Sequence, residues 1–408
     1  MKAFLTSIET SGNGTITITG SKSESNRLLI LQAPFPDLEI DNLSNSDDTR
    51  VLKQALTVTQ GTVDIHHAGT AMRFLTAYFA SQPGKEVVIT GSERMQERPI
   101  EVLVTALRSM GAKIDYLNRE GYPPLKIQGT VLEKNMVSIQ ANVSSQYISA
   151  LMLIAASLPS GLEIKLLGEV TSVPYILMTL SLLKQVGIEG TYSDNTIAIA
   201  PRSKIEPVQI AVESDWSSAS YYYSLAALTG SAITLKTYKE NSLQGDAALS
   251  EIYRRLGVET RFDVDENSIT LQSNGRPLAE HIILDLVNTP DIAQTIAVTC
   301  FGLGIGCTLT GLHTLKIKET DRLVALQQEL SKLGASISVT DNSLTLKPAT
   351  QRNEWVSVDT YNDHRMAMAF APLAAVVPLI INDPEVVSKS YPDFWKDLQK
   401  IGAQIEFK

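Results

Sequence analysis

The sequence predicts an α/β protein assembled from repeated helix–strand units, and two patterns lead to this prediction. First, an amphipathic helix, a glycine and a short strand of alternating polar and apolar residues follow one another several times. Second, several helix candidates are apolar on almost every side and begin with a cluster of polar residues. A helix that is apolar all round has to be buried, so these helices should form the cores of the domains.

The repeated units share a glycine that fits the left-handed C-cap position of the preceding helix. Five clear copies recur roughly every 70 residues, and their glycines are Gly111, Gly187, Gly257, Gly334 and Gly402. A degenerate sixth copy, "LKQALTVTQGTVDI", carries Gly61 and lies closer to its neighbour, which predicts that the first complete unit is trimmed. Three copies continue into a predicted hairpin, with turns at Asp194-Asn195, Glu266-Asn267 and Asp341-Asn342.

Polar clusters open the apolar helix candidates, which are "SKSESNRLLILQA", "HHAGTAMRFLTAYFA", "SSQYISALMLIAASL", "SDWSSASYYYSLAAL", "NTPDIAQTIAVTCFGLG", "KETDRLVALQQEL" and "YNDHRMAMAFAPLAA". Side-chain oxygens at such positions accept hydrogen bonds from the first N–H groups of a helix. We therefore predict N-caps at Ser21, Ser144, Ser217 and Asp363.

Cations also occur at these helix starts, where the helix dipole disfavours positive charge. They are Lys22, Arg27, Arg73, Arg322 and Arg365. Their recurrence indicates that an anion lies between the cations and the helix ends, as at phosphate and carboxylate sites. The alternative is that they are solvated helix ends with incidental charges.

Composition narrows the class of protein. The net charge of −9, from 35 Lys and Arg against 44 Asp and Glu, argues against nucleic-acid binding, which needs a basic surface. Cys300 and Cys307 form no disulfide framework or Cys-rich metal site. No apolar run reaches the roughly 20 residues that span a bilayer, and the N-terminus lacks a signal-peptide pattern. We expect a soluble cytoplasmic protein.

Ten motifs, in order from residue 21 to 394, closely resemble those of the enolpyruvylshikimate-phosphate synthase (3-phosphoshikimate 1-carboxyvinyltransferase) family of enolpyruvyl transferases. They are "SKSESNR" (21–27), "AGTAMR" (68–73), "ERPI" (97–100), "SSQ" (144–146), "SVPY" (172–175), "SDWSSASY" (214–221), "PDIAQT" (290–295), "KETDRL" (318–323), "YNDHRMAMAF" (361–370) and "KSYPDF" (389–394). The sequence departs from the common pattern at His66, His67, Thr314 and Lys316.

The resemblance implies a two-domain enolpyruvyl transferase fold, an inside-out α/β barrel with six βαβαββ-type repeats, three in each domain. It places residues 1–20 and 214–408 in a discontinuous first domain and residues 21–213 in the second. The active site is expected in the cleft between the domains.

The implied reaction moves the enolpyruvyl group of phosphoenolpyruvate onto the 5-hydroxyl of shikimate 3-phosphate and releases phosphate, a step toward chorismate and the aromatic amino acids. The resemblance implies no metal or organic cofactor, no nucleic-acid or membrane partner, and a monomer.

The family pattern also assigns the substrate-binding residues of this sequence. The phosphoenolpyruvate ligands would be Lys22, Gly69, Arg98, Gln146, Arg322, Arg365 and Lys389. The shikimate 3-phosphate ligands would be Ser23, Arg27, Ser144, Ser145, Ser172, Tyr175, Asp291 and Lys318. Several of these have a simpler interpretation, such as a helix cap at Ser144 and Ser145 or a loop lysine at Lys389.

The chemistry requires a proton to reach the methylene carbon of phosphoenolpyruvate while the acceptor hydroxyl loses one. We assign Asp291 to the hydroxyl, and Glu319 with Lys22 to the methylene carbon, because carboxylates beside cations suit proton transfer. His364 is a further candidate, either for proton transfer or for positioning a phosphate ligand. The hydrogen-bonding environment could reverse some of these roles.

Two rival functions remain at this point. UDP-N-acetylglucosamine enolpyruvyl transferase shares the implied fold and the transferred group, but that family typically has Asn where Ser23 follows Lys22 here, and often a Cys in a mobile loop. The second rival function is that of a non-catalytic protein that binds anionic metabolites. Such a protein would gain nothing from Asp291 and Glu319, because carboxylates repel anionic ligands.

Overall fold

The computed structural model describes residues 1–9, 14–141, 144–168, 170, 173–275 and 278–408. The chain divides into two compact units, one formed by Met1–Thr19 with Glu213–Lys408 and the other by Gly20–Val212. Both contain helices and small mixed sheets, so the α/β class is confirmed. No helix in the described ranges is both long and apolar enough to cross a membrane.

The α-helices of the described chain vary from short turns to four-turn segments. In order they are α1 (Lys22–Gln32), α2 (Asp47–Ala55), α3 (Gly69–Ala80), α4 (Glu93–Gln96), α5 (Glu101–Ser109), α6 (Ser145–Ala155), α7 (Val173–Gln185), α8 (Trp216–Thr229), α9 (Leu249–Arg254), α10 (Ala293–Leu303), α11 (Arg322–Lys332), α12 (His364–Phe370) and α13 (Phe394–Lys400).

The strands are short and contain three to seven residues each. They are β1 (Lys2–Ile8), β2 (Gly14–Thr17), β3 (Leu38–Asp41), β4 (Gln60–Asp64), β5 (Glu86–Thr90), β6 (Lys113–Tyr116), β7 (Leu125–Gln128), β8 (Met136–Gln140), β9 (Leu162–Leu167), β10 (Gly190–Ser193), β11 (Thr196–Ile199), β12 (Val208–Ala211), β13 (Ile233–Lys236), β14 (Val258–Asp263), β15 (Ser268–Ser273), β16 (His281–Asp285), β17 (Gly306–Thr310), β18 (Ile337–Val339), β19 (Leu344–Leu346), β20 (Val356–Val358), β21 (Leu379–Asn382) and β22 (Ala403–Phe407).

Five of the six sheets in the described residues share one topology, in which a parallel pair of strands is followed by two antiparallel neighbours. In residues 20–212 the strand orders are β4-β5-β7-β6 and β8-β9-β11-β10. In the other unit they are β2-β13-β15-β14, β16-β17-β19-β18 and β20-β21-β1-β22.

The sixth sheet is the trimmed repeat. It contains only the parallel pair β3 and β12, without the antiparallel hairpin of the other repeats. Each unit therefore contributes three sheets, and the predicted sixfold repetition is present with one shortened copy.

The predicted glycines are confirmed as left-handed residues after the helix ends, although at α5, α9, α11 and α13 the C-cap residue itself precedes the glycine. They closely follow α5, α7, α9, α11 and α13, and their φ angles lie between +80° and +107°, where a side chain would be strained. Gly61 differs, because it lies within β4 while α2 ends at Ala55. The trimmed unit has therefore lost the helix–glycine–strand junction.

Two of the four predicted N-caps are confirmed with their capping hydrogen bonds, one is confirmed in position only and one is wrong. Ser144 accepts a hydrogen bond from the N–H of Gln146, and Asp363 from that of Arg365. Ser21 occupies the N-cap position of α1, but its side chain makes no capping hydrogen bond. Ser217 lies inside α8, whose cap is Asp215; consecutive Ser and Asp residues all have cap chemistry, so the sequence does not select among them.

The apolar helices form the core of each unit, as predicted from their composition. In residues 20–212, α3 packs against α6, and α6 packs against α7 and α1. In the other unit α10 packs against both α8 and α12. Because these helices are buried along their length, functional side chains are expected at their polar N-terminal ends.

Candidate active site

In residues 213–408, the predicted acids and cations come from short segments that lead into buried helices. The 3₁₀ turn before α10 carries Asp291, and the segment leading into α11 carries Lys318, Glu319 and Arg322. The start of α12 carries Arg365, and the 3₁₀ turn Pro384–Lys389 carries Lys389.

Arg322 is the centre of this cluster. Its Nε donates to Asp363 Oδ2 at 2.6 Å, Nη1 to Asp291 Oδ1 at 2.8 Å and Nη2 to Glu319 Oε2 at 2.9 Å. The Arg322 side chain is only 2% exposed, and that of Asp363 is fully buried. One guanidinium thus fixes three carboxylates from three separate segments, which suits the planar geometry of arginine.

Asp291 is held by cations on several sides. Besides Arg322, its carboxylate lies 3.4 Å from Lys318 Nζ and 3.5 Å from Arg365 Nη2. Arg365 Nη1 also donates to the backbone carbonyl of Asp291 at 3.0 Å. The predicted base and three predicted anion-binding cations therefore lie within direct contact.

Glu319 joins the cluster to Lys389, whose Nζ donates to Glu319 Oε1 at 2.5 Å. Both side chains are largely buried, so this ion pair is less screened by water than a surface pair. His364 is buried beside the cluster, with its Nδ1 3.7 Å from Asp363 Oδ1. Lys389 is therefore not a loop lysine in free solvent.

The charges in the cluster shift one another's ionisation. Burial favours the neutral acid at Asp291, but Lys318, Arg365 and Arg322 outweigh it and hold its pKa far below the usual range. Asp291 acts to raise the pKa of Lys318, yet burial and the neighbouring arginines produce a net lowering. Asp291 is thus ionised, and Lys318 gives up its proton more readily than a free lysine.

In residues 20–212, Arg27 is buried among helices α1, α3, α6 and α7. Its Nε donates to Thr179 Oγ1, Nη2 to Ser149 Oγ and Nη1 to the Ser23 carbonyl, each at 2.9 Å. The Tyr175 ring lies 5.6 Å from the guanidinium carbon. Because these hydrogen-bond partners are uncharged, burial lowers the pKa of Arg27 to about 10. A buried arginine of this kind favours an added anion.

Gly69 and Arg98 lie against each other in the same unit. A Cβ atom at Gly69 would be 2.6 Å from Arg98 Nη1, so only glycine permits this approach. Arg73 Nη1 donates to the Gly69 carbonyl at 3.0 Å, and Gln146 Nε2 donates to the Thr70 hydroxyl at 3.2 Å. Gly69 and Arg98 are therefore close neighbours, and Gln146 contacts the residue that follows Gly69.

Three of the other predicted residues of this unit lie at helix starts, namely Lys22, Ser144 and Ser145. Lys22 Nζ lies 3.4 Å from the buried carboxylate of Asp48. Ser144 caps α6 and Ser145 is its first residue, so the capping interpretation is correct for Ser144. Ser172 lies outside the described residues.

Two of the departures from the family pattern have local partners. The His67 ring nitrogen Nδ1 lies 3.1 Å from Ser92 Oγ on an exposed surface. Lys316 forms an exposed ion pair with Asp341, with 2.5 Å between Nζ and Oδ1.

Sequence reasoning missed several residues that shape these clusters. Ser149 and Thr179 hold Arg27, Asp48 pairs with Lys22, and Asp246 accepts a hydrogen bond from Ser217. Each is a small polar residue in an ordinary helix or loop, and no spacing in the sequence links it to its partner.

Comparison with known proteins identifies the family to which the chain is similar. The family described as EPSP synthase (3-phosphoshikimate 1-carboxyvinyltransferase) matches residues 39–398. A 3-phosphoshikimate 1-carboxyvinyltransferase of Bacteroides fragilis is 46% identical over 99% of this chain and 98% of that protein. The chain belongs to the EPSP synthase family. One from Vibrio vulnificus is 36% identical over 95% of this chain and 96% of its own length.

Solved structures agree on the fold. An EPSP synthase from Acinetobacter baumannii covers 100% of both chains with a TM-score of 0.77 at 20% identity. The predicted enolpyruvyl transferase fold is thus confirmed. No group of His, Cys, Asp and Glu within the described part of this EPSP synthase family member has an arrangement that could hold a metal ion.

Proposed function

We propose that the protein transfers the enolpyruvyl group of phosphoenolpyruvate to the 5-hydroxyl of shikimate 3-phosphate, and that the Arg322 cluster carries the chemistry. Membership in the EPSP synthase family and 46% identity to a named relative support the reaction. The observation that supports the site is the convergence of Lys318, Arg322, Arg365 and Lys389 on two acids.

Both substrates carry a phosphate and a carboxylate, so binding them together requires several cations to offset their repulsion. Arg322, Arg365 and Lys389 would bind phosphoenolpyruvate, with Lys22, Gly69, Arg98 and Gln146 as the ligands from residues 20–212. Shikimate 3-phosphate would bind Lys318 and Asp291, with Ser23, Arg27, Ser144, Ser145, Ser172 and Tyr175. His364 would position a neighbouring residue that binds phosphate.

Asp291 is the proposed base for the acceptor hydroxyl. The oxygen of that hydroxyl attacks the substituted carbon of phosphoenolpyruvate while its proton passes to the Asp291 carboxylate. A very low pKa makes a weak base, but Lys318 and Arg365 hold that pKa down and are themselves proposed anion ligands. Anionic substrates would weaken their effect and so raise the basicity of Asp291 when it is needed.

Glu319 with Lys22 is the proposed source of the proton for the methylene carbon. Proton addition there and attack of the hydroxyl give a tetrahedral intermediate. Phosphate then departs and takes up the proton held by Asp291, while a methyl proton returns to Glu319 with Lys22, which restores the carbon–carbon double bond. The Glu319–Lys389 contact of 2.5 Å keeps the carboxyl group in place for both steps.

We also propose a cytoplasmic monomer. Cys300 and Cys307 are both free and buried, which fits a reducing compartment.

Phosphate release in the presence of both substrates tests the reaction directly. We expect the Asp291→Ala variant to lose turnover while shikimate 3-phosphate binding, measured by calorimetry, stays detectable. Asp291→Asn serves as a shape-matched control that also lacks the base. Near-normal turnover in either variant would refute the role of Asp291.

The same assay separates the rival functions. Phosphate release only with UDP-N-acetylglucosamine as acceptor would indicate the related transferase. Binding of both anions without any phosphate release from the wild-type protein would indicate a binding protein.

A further inference from the structure

A buried acid that the proposed reaction does not use lies behind Arg365. Asp246 belongs to a 3₁₀ turn (Gly245–Ala248) and is 7% exposed. Its Oδ2 accepts a short hydrogen bond from the Ser217 hydroxyl on α8. The same hydroxyl oxygen accepts a hydrogen bond from Arg365 Nη2 at 3.2 Å. The three side chains form a chain from α12 through α8 to the turn.

We propose that Asp246 is a positioning residue for Arg365 and that it acts through the Ser217 hydroxyl. A serine hydroxyl has one proton to donate. Because that proton goes to Asp246, the lone pairs of Ser217 remain directed at Arg365. This contact and the bond from Nη1 to the Asp291 carbonyl fix the guanidinium at both of its terminal nitrogens. Its orientation toward an anion is then set before the ligand arrives.

The turn that carries Asp246 is itself anchored to the start of α8. Gln244 Oε1 accepts a hydrogen bond from the Trp216 N–H, and Gln244 Nε2 donates to the Ser214 carbonyl, both at 2.9 Å. These bonds hold the residue two positions before Asp246 against the start of α8 and so help to keep Asp246 near Ser217, as the support for a binding arginine requires.

The electrostatics of Asp246 fit this role. Burial, followed by the nearby Asp291 carboxylate, raises the pKa of Asp246 to about 6, against the opposing effects of Arg365 and the Ser217 hydrogen bond. Asp215 adds a further small repulsion. Because its pKa is raised, this buried carboxylate lowers the stability of the folded state when it ionises, so its position does not serve stability.

The inference rests on the proposed function, because it assigns Arg365 to phosphoenolpyruvate. A double-mutant cycle tests it with Ser217→Ala, Asp246→Asn and the combined variant. Each single variant should raise KM for phosphoenolpyruvate about tenfold, as expected for one misplaced charge-assisted hydrogen bond, with kcat and KM for shikimate 3-phosphate changed less than about threefold. The double variant should also raise KM for phosphoenolpyruvate about tenfold, and no further, because both changes break the same chain of contacts.

The matched control is Glu329→Gln, which alters another buried acid of the same unit, bonded to Lys332 and Tyr361. It should leave KM for phosphoenolpyruvate unchanged even if the melting temperature falls.

Effects of the two single variants that multiply, or an unchanged KM in Ser217→Ala, would overturn the proposal. Ser217 is partly exposed and loses one hydroxyl, so this arm of the test does not depend on how Asp246→Asn behaves. An inactive wild-type protein would instead refute the proposed function.

Discussion

Replacing Arg322 with Met tests how the cluster is held together. Arg322 joins Asp363, Asp291 and Glu319 at 2.6–2.9 Å. Without it, Asp291 keeps Lys318 and Arg365, and Glu319 keeps Lys389. Asp363, whose side chain is fully buried, loses the contact that balances its charge. Removal of one partner from a buried ion pair costs about 3–5 kcal/mol, and we expect a loss of that size in the free energy of unfolding.

Arg27→Met is the matched comparison, because it also removes a buried guanidinium. Here the hydrogen-bond partners are uncharged, and burial lowers the pKa of Arg27 to about 10, well below the usual value for arginine. At neutral pH, well below that folded-state value, the charged form therefore destabilises the folded state by about 3 kcal/mol. Met removes this cost but also loses hydrogen bonds worth about 1 kcal/mol each. The net change should lie within about 1 kcal/mol of zero.

Equilibrium urea unfolding distinguishes the two variants. All 3 tryptophans of the chain, Trp216, Trp355 and Trp395, lie in the unit that contains Arg322, so tryptophan fluorescence reports on that unit. Hydrogen exchange in α1 and α6 reports on the surroundings of Arg27. A loss below about 1 kcal/mol in Arg322→Met, or equal losses in both variants, would contradict the reasoning.

Three further predictions concern single sites. Asp246→Asn should raise the free energy of unfolding by up to about 3 kcal/mol at pH 8 and change it little near pH 4. Because burial raises the pKa of Asp246 from 3.8 to about 6, the cost of ionising it in the folded state develops between these two pH values and is fully present above pH 6. Equal changes in urea titrations at pH 4 and pH 8 would exclude this. Gly69→Ala should raise KM for phosphoenolpyruvate about tenfold with little loss of melting temperature, because the new Cβ would displace the flexible Arg98 side chain. An unchanged KM would show that Arg98 does not bind phosphoenolpyruvate. Lys22→Met should lower kcat/KM for phosphoenolpyruvate on the order of a hundredfold. The control Lys53→Met, on the exposed surface of α2, should leave kcat/KM unchanged. Unchanged steady-state kinetics in Lys22→Met would show that Lys22 is not part of the site.

The local features of the fold could be predicted because each follows from residues close in sequence. Glycine tolerates the left-handed conformation that ends α5, α7, α9, α11 and α13, so its recurrence marked the repeats. An apolar helix has to be buried wherever it packs, so the cores were predictable from composition. The choice of cap at α8 was not, because Ser214, Asp215 and Ser217 have the same capping chemistry.

The sequence by itself determined the family, the repeated α/β units and the identity of the charged residues at the helix starts, since these depend on local composition and motif. Only the tertiary structure decided that Arg322 is the centre of three carboxylates and that Asp246 supports Arg365 through Ser217. These partners come from segments far apart in the chain. Their pairing depends on how helices and turns pack, and no local periodicity in the sequence encodes which distant side chains meet.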